Sequence, residues 1–168
     1  MIKEELQSKL LGVIYQCDSH ALTISFAREN LSPMYPFSPE LISFNKKSYL
    51  TYTDQLVFRF SKLQDKMGGS LFPLTLQCLD EVTTGYTMTD TLNRLEKLGF
   101  IKSADLWRSL RETRNIISND YPSTINETAI ALNKVWEDSE VLISVYNHIK
   151  NELNLRGWNT SPQPPASL

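Results

Sequence analysis

The stretch IKEELQSKLLGVIYQCDSHALTISFAREN, residues 2–30, decides the fold. Leu6, Leu10, Val13, Cys17, Ala21, Ile24 and Phe26 recur mostly at spacings of three and four, the pattern that one buried face of a long helix requires. Lys3, Glu4, Glu5 and Lys9 interrupt the apolar residues, so the segment reads neither as a signal peptide nor as a membrane span.

Working outward, the chain repeats this periodicity and breaks it at identifiable points. Residues 31–39 hold Pro33, Pro36 and Pro39, which remove backbone donors and disfavour helix before each ring. They predict a loop with aromatic anchors. A second helix is predicted over residues 48–66, where Leu56, Phe60, Leu63 and Met67 make a stripe and Gly68-Gly69 supplies a stop. A shorter apolar segment covers 71–82, with Pro73 in its first turn. Thr89 or Asp90 can cap a helix bearing Leu92, Leu95 and Leu98, which Gly99 ends. Ser103, with Asp105 in the first turn, can cap the next helix, which runs to the turn formers Asn119-Asp120-Tyr121-Pro122. The last helix begins near Thr124 and carries Ile125, Ala129, Leu132, Trp136, Leu142, Tyr146, Ile149 and Leu153. No strand pattern of convincing length appears.

Helices joined by short loops bury their stripes most simply as an antiparallel bundle. The expectation is an all-α, up-and-down arrangement of four long helices plus one or two short ones. It forms a single domain over residues 1–157, followed by a disordered Pro/Ser-rich tail over 158–168.

Composition limits the chemistry. The 168 residues carry 17 basic and 19 acidic side chains for a net charge of -2, without a basic stripe of the kind dedicated nucleic-acid binders show. Any contact with RNA has to be local or made on a composite surface. Two cysteines far apart make neither a disulfide framework nor a four-ligand zinc site, and the composition suits a reducing cytoplasm. Two histidines, His20 and His148, leave little material for a metal or acid-base centre. No metal and no cofactor are expected on this chain.

Chemistry concentrates in residues 108–121. In a helix, Arg111 and Arg114 stand one turn apart, Ser118 a further turn on, and Asn115 and Asn119 form a second i, i+4 pair beside them. One reading is a solvated face whose arginines pair with Glu112 and complement the negative end of the helix dipole. The other is that guanidinium groups and amides converge on a phosphate.

The order Arg114-Asn115-Ile116-Ile117-Ser118-Asn119-Asp120-Tyr121-Pro122 resembles the signature of HEPN-domain proteins. There an arginine, four further residues, a histidine, any residue and a tyrosine close the penultimate helix. FRFSKLQDKMG from Phe58, DTLNRLEKLGFIKSADLW from Asp90 and RETRN from Arg111 are similar to HepT-type members encoded beside a small MNT-class nucleotidyltransferase. The resemblance spans most of residues 1–150.

What it implies is a HEPN-like bundle acting as the toxin of a toxin-antitoxin pair. Its activity would be that of a metal-independent endoribonuclease, working as a homodimer with two motifs facing one cleft. Arg114 would steady phosphate charge, Arg111, Asn115 and Ser118 would bind RNA, and Tyr121 would receive AMP from the nucleotidyltransferase antitoxin, which alone uses ATP and Mg. The sequence departs from the family at Asn119, where the histidine stands. An amide has no usable proton affinity near pH 7, so cleavage is expected to be inactivated or impaired while binding survives. The alternative is a non-catalytic helical subunit that binds RNA or substrate for a nucleotidyltransferase. Five helical residues turn the chain by roughly 500°, which leaves position 119 about 140° round from Arg114 unless the helix ends between them.

Overall fold

The apolar repeat of residues 2–30 becomes α1 (Lys3–Leu31) in the computed structural model. The structure describes residues 2–44, 46–119 and 124–163, with the backbone alone for Lys46, Ser48, Ser118 and Asn119. Along the chain follow a 3-10 turn (Ser32–Met34), α2 (Pro39–Phe44), α3 (Lys46–Lys66), a π-helical turn (Met67–Leu71), α4 (Phe72–Cys78), α5 (Met88–Lys97), α6 (Ala104–Asn119) and α7 (Ile125–Leu155). Among the described residues there is no strand, so the fold is all-α. None of these helices is long and apolar enough to cross a membrane.

The described residues group into two compact units. The first takes the chain through Asp18, Asp65–Ala104 and the residues from Val145 onward; the second takes Ser19–Gln64 and Asp105–Ser144.

In the first unit Leu6, Leu10, Ile14 and Cys17 of α1 are buried, as are Ile149 and Leu153 of α7. A polar link pins the two helices among these apolar residues. The Tyr146 hydroxyl donates to Asp18 Oδ1 at 2.6 Å, and the Lys150 ammonium donates to the same oxygen at 2.8 Å. Burial, reinforced by Asp18, pushes the Tyr146 hydroxyl far above the ordinary phenol range.

Gly68-Gly69 does not stop the second helix. The chain passes through the π-helical turn straight into α4, with the Phe72 N–H bonded to Met67 O. In an α-helix the Pro73 ring would strike the carbonyl four residues back, and the wider turn relieves this. Two glycines cost only about 1 kcal/mol each in a helix, a penalty offset by the complete burial of Met67, Leu71 and Phe72.

The cap of α5 also differs from expectation: Thr87, not Thr89 or Asp90, is the N-cap. Its hydroxyl accepts from the Asp90 N–H at 3.2 Å while Asp90 accepts from the Thr87 N–H at 2.9 Å, a reciprocal capping box. Those bonds hold the Asp90 carboxyl below its ordinary range. Gly99 ends α5 as predicted, at φ +82°, with Phe100 N–H bonded to Leu95 O and Gly99 N–H to Glu96 O. Gly157, at φ +87°, ends α7 with the same pair of bonds.

That second turn corrects the expected tail. Trp158 and Thr160 are buried, Lys3 lies over the Trp158 ring, and the Gln7 side chain both donates to and accepts from the Asn159 backbone at 2.9 Å. One indole supplies the apolar area that composition alone did not credit to the segment. Residues 164–168 of the predicted tail lie outside the described residues.

The second unit buries Ile24, Ala27 and Leu31 of α1, Leu56, Phe60 and Leu63 of α3, Trp107 and Leu110 of α6, and Leu132, Val135 and Leu142 of α7. The proline-rich segment is anchored by aromatics, as expected, and its last residue, Pro39, begins the short α2, which the sequence reading missed. Tyr35 stacks on Trp136 at 4.9 Å, and the Arg28 guanidinium lies over the same indole at 4.2 Å. The Asn133 side chain accepts from Phe37 N–H at 2.7 Å and donates to Phe37 O at 2.9 Å. Two expected core residues face outward: Phe26 is 58% exposed, because the buried stripe of α1 runs through Ile24, Ala27 and Leu31 instead, and Ile125, the first residue of α7, is 47% exposed.

The two glycine environments give opposite expectations. A Cβ on either Gly69 or Gly99 meets nothing within 4 Å, but Gly99 alone has positive φ. Urea denaturation of Gly99→Ala is expected to show a loss of about 1–2 kcal/mol from backbone strain. Gly69→Ala should gain about 0.4–1 kcal/mol by restricting the unfolded chain. A loss at Gly69 equal to that at Gly99 would contradict this account of the π turn.

Candidate functional site

The candidate site is carried by α6, whose orientation is set within the second unit by its buried face. Trp107, Leu110 and Thr113 fall at spacings of three and are all nearly inaccessible. The Gln64 amide at the end of α3 donates to Leu110 O at 2.8 Å, a buried side-chain bond to a helix backbone. The Thr113 hydroxyl donates to Asp138 Oδ2 on α7 at 2.6 Å, and Lys134 donates to Asp138 Oδ1 at 3.1 Å. Asp138 is 6% exposed, so its carboxylate has exchanged water for these two donors.

With α6 fixed in this way, the predicted residues take definite places. Arg111 and Arg114 lie one turn apart, both partly buried and both engaged by neighbours. Asn115 is exposed. Ser118 and Asn119 occupy the last turn of α6, their side chains outside the described residues, and Tyr121 lies outside them altogether. Arg108, at the start of the polar edge, pairs with Asp105 at 2.8 Å.

The bounds of α6 decide one geometric question. The helix does not end between Arg114 and Asn119 but runs through both. At 100° per residue the two positions therefore stand about 140° apart on the helix surface. Within one chain the structure keeps Arg111 beside Arg114 and does not bring position 119 to the same side.

Other reactive groups are accounted for by packing. Burial pushes the Cys17 thiol up to about 12 and the Cys78 thiol up to about 11, so both stay protonated near neutrality and neither is a poised nucleophile. The His148 Nε2 atom donates to Gly99 O at 2.8 Å, and the His20 Nδ1 atom accepts from the Arg59 guanidinium at 3.1 Å. Among the described residues no three His, Cys, Asp or Glu side chains come together as a metal site. Sequence reading missed the Thr113–Asp138–Lys134 link; the i, i+4 spacing of Lys134 and Asp138 was its one visible trace.

No family model matches the chain, and neither the curated proteins nor the solved structures give a match.

Removing the Asp138 carboxylate leaves the buried Thr113 hydroxyl only the long 3.4 Å bond to Ser109 O. Asp138→Ala is expected to lower unfolding free energy by about 1–3 kcal/mol in urea titrations. Lys134→Ala, at a side chain 50% exposed, should cost no more than about 1 kcal/mol. Equal losses would mean that the ion pair, and not the buried hydroxyl bond, holds α6 to α7.

Proposed function

We propose that the chain is a HEPN protein of the HepT kind, the RNA-cleaving toxin of a toxin-antitoxin pair, with its cleavage chemistry inactivated or impaired by Asn119. The carrying observation is positional. The first six residues of the signature, Arg114 to Asn119, form the C-terminal end of α6, the helix before the last, and Arg114 is partly buried beside the packed face. The up-and-down bundle of four long helices belongs to the same reading.

In this reading Arg114 and Arg111 take the phosphate. A guanidinium keeps its charge at every physiological pH and presents paired donors to phosphate oxygens. Asn115 and Ser118 add neutral hydrogen bonds to phosphate or ribose. Cleavage by an attacking 2'-hydroxyl needs a group that takes the proton and another that returns one to the leaving oxygen. Asn119 can do neither. Because α6 is helical through Asn119, positions 114 and 119 are most easily used together when two copies of the chain face each other across one cleft, so the functional unit is a homodimer. No metal and no cofactor enter the step, and the working compartment is the cytoplasm.

Tyr121 is the control point. A partner nucleotidyltransferase holding ATP and Mg would let the Tyr121 oxygen attack the α-phosphorus of ATP. Pyrophosphate leaves, the phenolic proton passes to a base, and the added nucleotide closes the cleft by charge and bulk.

A second reading, a non-catalytic subunit that holds RNA or substrate for the nucleotidyltransferase, is favoured by one feature: Asn119 leaves the binding groups in place and removes only the acid-base group. The two readings part on turnover. Asn119→His is expected to cleave RNA about 10²- to 10⁴-fold faster than the chain with Asn119 and to arrest growth when expressed without the antitoxin. No cleavage by either protein would favour the binding subunit, and equal, robust cleavage by both would overturn the claim that position 119 limits catalysis.

A separate measurement addresses Tyr121. Incubation with the cognate nucleotidyltransferase and Mg-ATP should add one AMP to the intact mass, and Tyr121→Phe should abolish the increment. An unchanged increment in the variant would move the modification elsewhere.

A further inference from the structure

We infer that the outward face of α1 is a self-association surface, on which α1 of a second copy of this chain packs antiparallel, independently of the RNA-cleaving reading and of every residue on α6. α1 is one uninterrupted helix of 29 residues, and Leu6, Leu10, Ile14, Cys17 and Ile24 are buried along one side of it. At 100° per residue, Ser8, Gly12, Tyr15, Ser19, Leu22 and Phe26 line up on the opposite side, with spacings that alternate between four and three. All six are exposed.

Three features of this stripe have no explanation within one chain. Leu22 is 74%, Phe26 58% and Tyr15 45% exposed, on a helix that, unlike α5 and α6, has almost no polar-apolar asymmetry. Gly12 stands in the middle of the helix, where only proline is a poorer former; its φ is not positive, and a Cβ there would meet nothing within 4 Å. Within about 60° of the centre of the stripe no charged residue occurs from Ser8 to Phe26, although Glu4 and Glu5 precede it and Glu29 follows. Asp18 lies about 80° off that centre and is bonded to Tyr146 and Lys150.

The order of sizes selects the occupant. An antiparallel two-fold axis at the level of Cys17 brings Ser8 to Phe26, Gly12 to Leu22 and Tyr15 to Ser19 of the other copy, so each small residue receives a large one. Sliding by a heptad either way sets Tyr15 on Phe26 or Ser8 on Ser19, and a parallel pair sets Phe26 on Phe26 and Gly12 on Gly12, which trades complementarity for overpacking and voids. A two-fold contact is isologous, and a stripe that complements its own reverse meets that condition. Nucleic acid or an anionic membrane would find no cation on the stripe and carboxylates at both its ends. Residues 8–26 span about 27 Å, and at a helix diameter of about 10–12 Å the two faces together cover roughly 600 Å². A stable interface needs about 1,200 Å², so this pair is weak and reversible. The register also sets Glu4 near Glu29 of the other copy, so added salt strengthens the pair by screening that repulsion.

The test combines disulfide trapping with analytical ultracentrifugation of the full chain. Gly12→Cys mixed with Leu22→Cys under mild oxidation is expected to give a disulfide-linked heterodimer by intact mass. Either variant alone should not, because in this register two copies of one position stand ten residues, about 15 Å, apart, beyond the roughly 7 Å reach of a disulfide. Sedimentation equilibrium should show self-association that strengthens with salt, and Leu22→Glu, at an exposed position, should weaken it at least tenfold while leaving the thermal melt unchanged. Trapping of Gly12→Cys with itself as readily as with Leu22→Cys, association unchanged in Leu22→Glu, weakening by salt, or no association at all would each overturn the surface. A dimer joined only through α6 would show the second of these results, and none of the readouts depends on whether Asn119→His cleaves RNA.

Discussion

A carboxylate taken out of water has to find donors, and Asp138 finds two, the Thr113 hydroxyl on α6 and the Lys134 ammonium on its own helix. An apolar stripe alone tolerates small rotations and slips, because one methyl group packs nearly as well as another. A buried carboxylate aimed at a single hydroxyl does not. It fixes which side of α6 faces α7, and with that it fixes that Arg114 stands beside the packed face while Asn115 is exposed. The first unit has a more open counterpart: Asp18, its side chain 36% exposed, accepts from one hydroxyl, Tyr146, and one ammonium, Lys150, between α1 and α7. In each unit one acidic group sets helix register among residues that are otherwise apolar.

Much of the fold was legible because long helices announce themselves by period. The α3 stripe Leu56, Phe60, Leu63 and Met67 is fully buried, and Gly99 ends α5 in the left-handed conformation that glycine allows. The misreadings share one cause, that local signals compete with burial. Gly68-Gly69 reads as a stop, but three large side chains at Met67, Leu71 and Phe72 gain more from continuing inward than two glycines lose. Phe26 reads as core because it is apolar, yet Ile24, Ala27 and Leu31 keep better phase with the buried face. Trp158 sits in a stretch whose average composition suggests disorder, and averages conceal what one indole can do.

The candidate site was legible as a cluster of residue types, less so as a geometry. Spacing alone shows that Arg111 and Arg114 share an edge. It does not show whether α6 persists to Asn119, and that persistence separates a one-chain site from a two-chain one. Nor does sequence reveal Asp138, twenty-five residues from Thr113 and invisible to any motif built on neighbours. Contacts that cross between helices carry no local signature, so the residues that position a site are the hardest to read.

The placing of cations on α6 has to be weighed against the modest charge of the chain. With a net charge of -2 there is no field strong enough to hold a polyanion everywhere, so cations have to be placed where carboxylates are kept away. On α6 Arg111 and Arg114 are partly buried close to the packed face, where a guanidinium acts more strongly on a neighbouring charge than it would in open water.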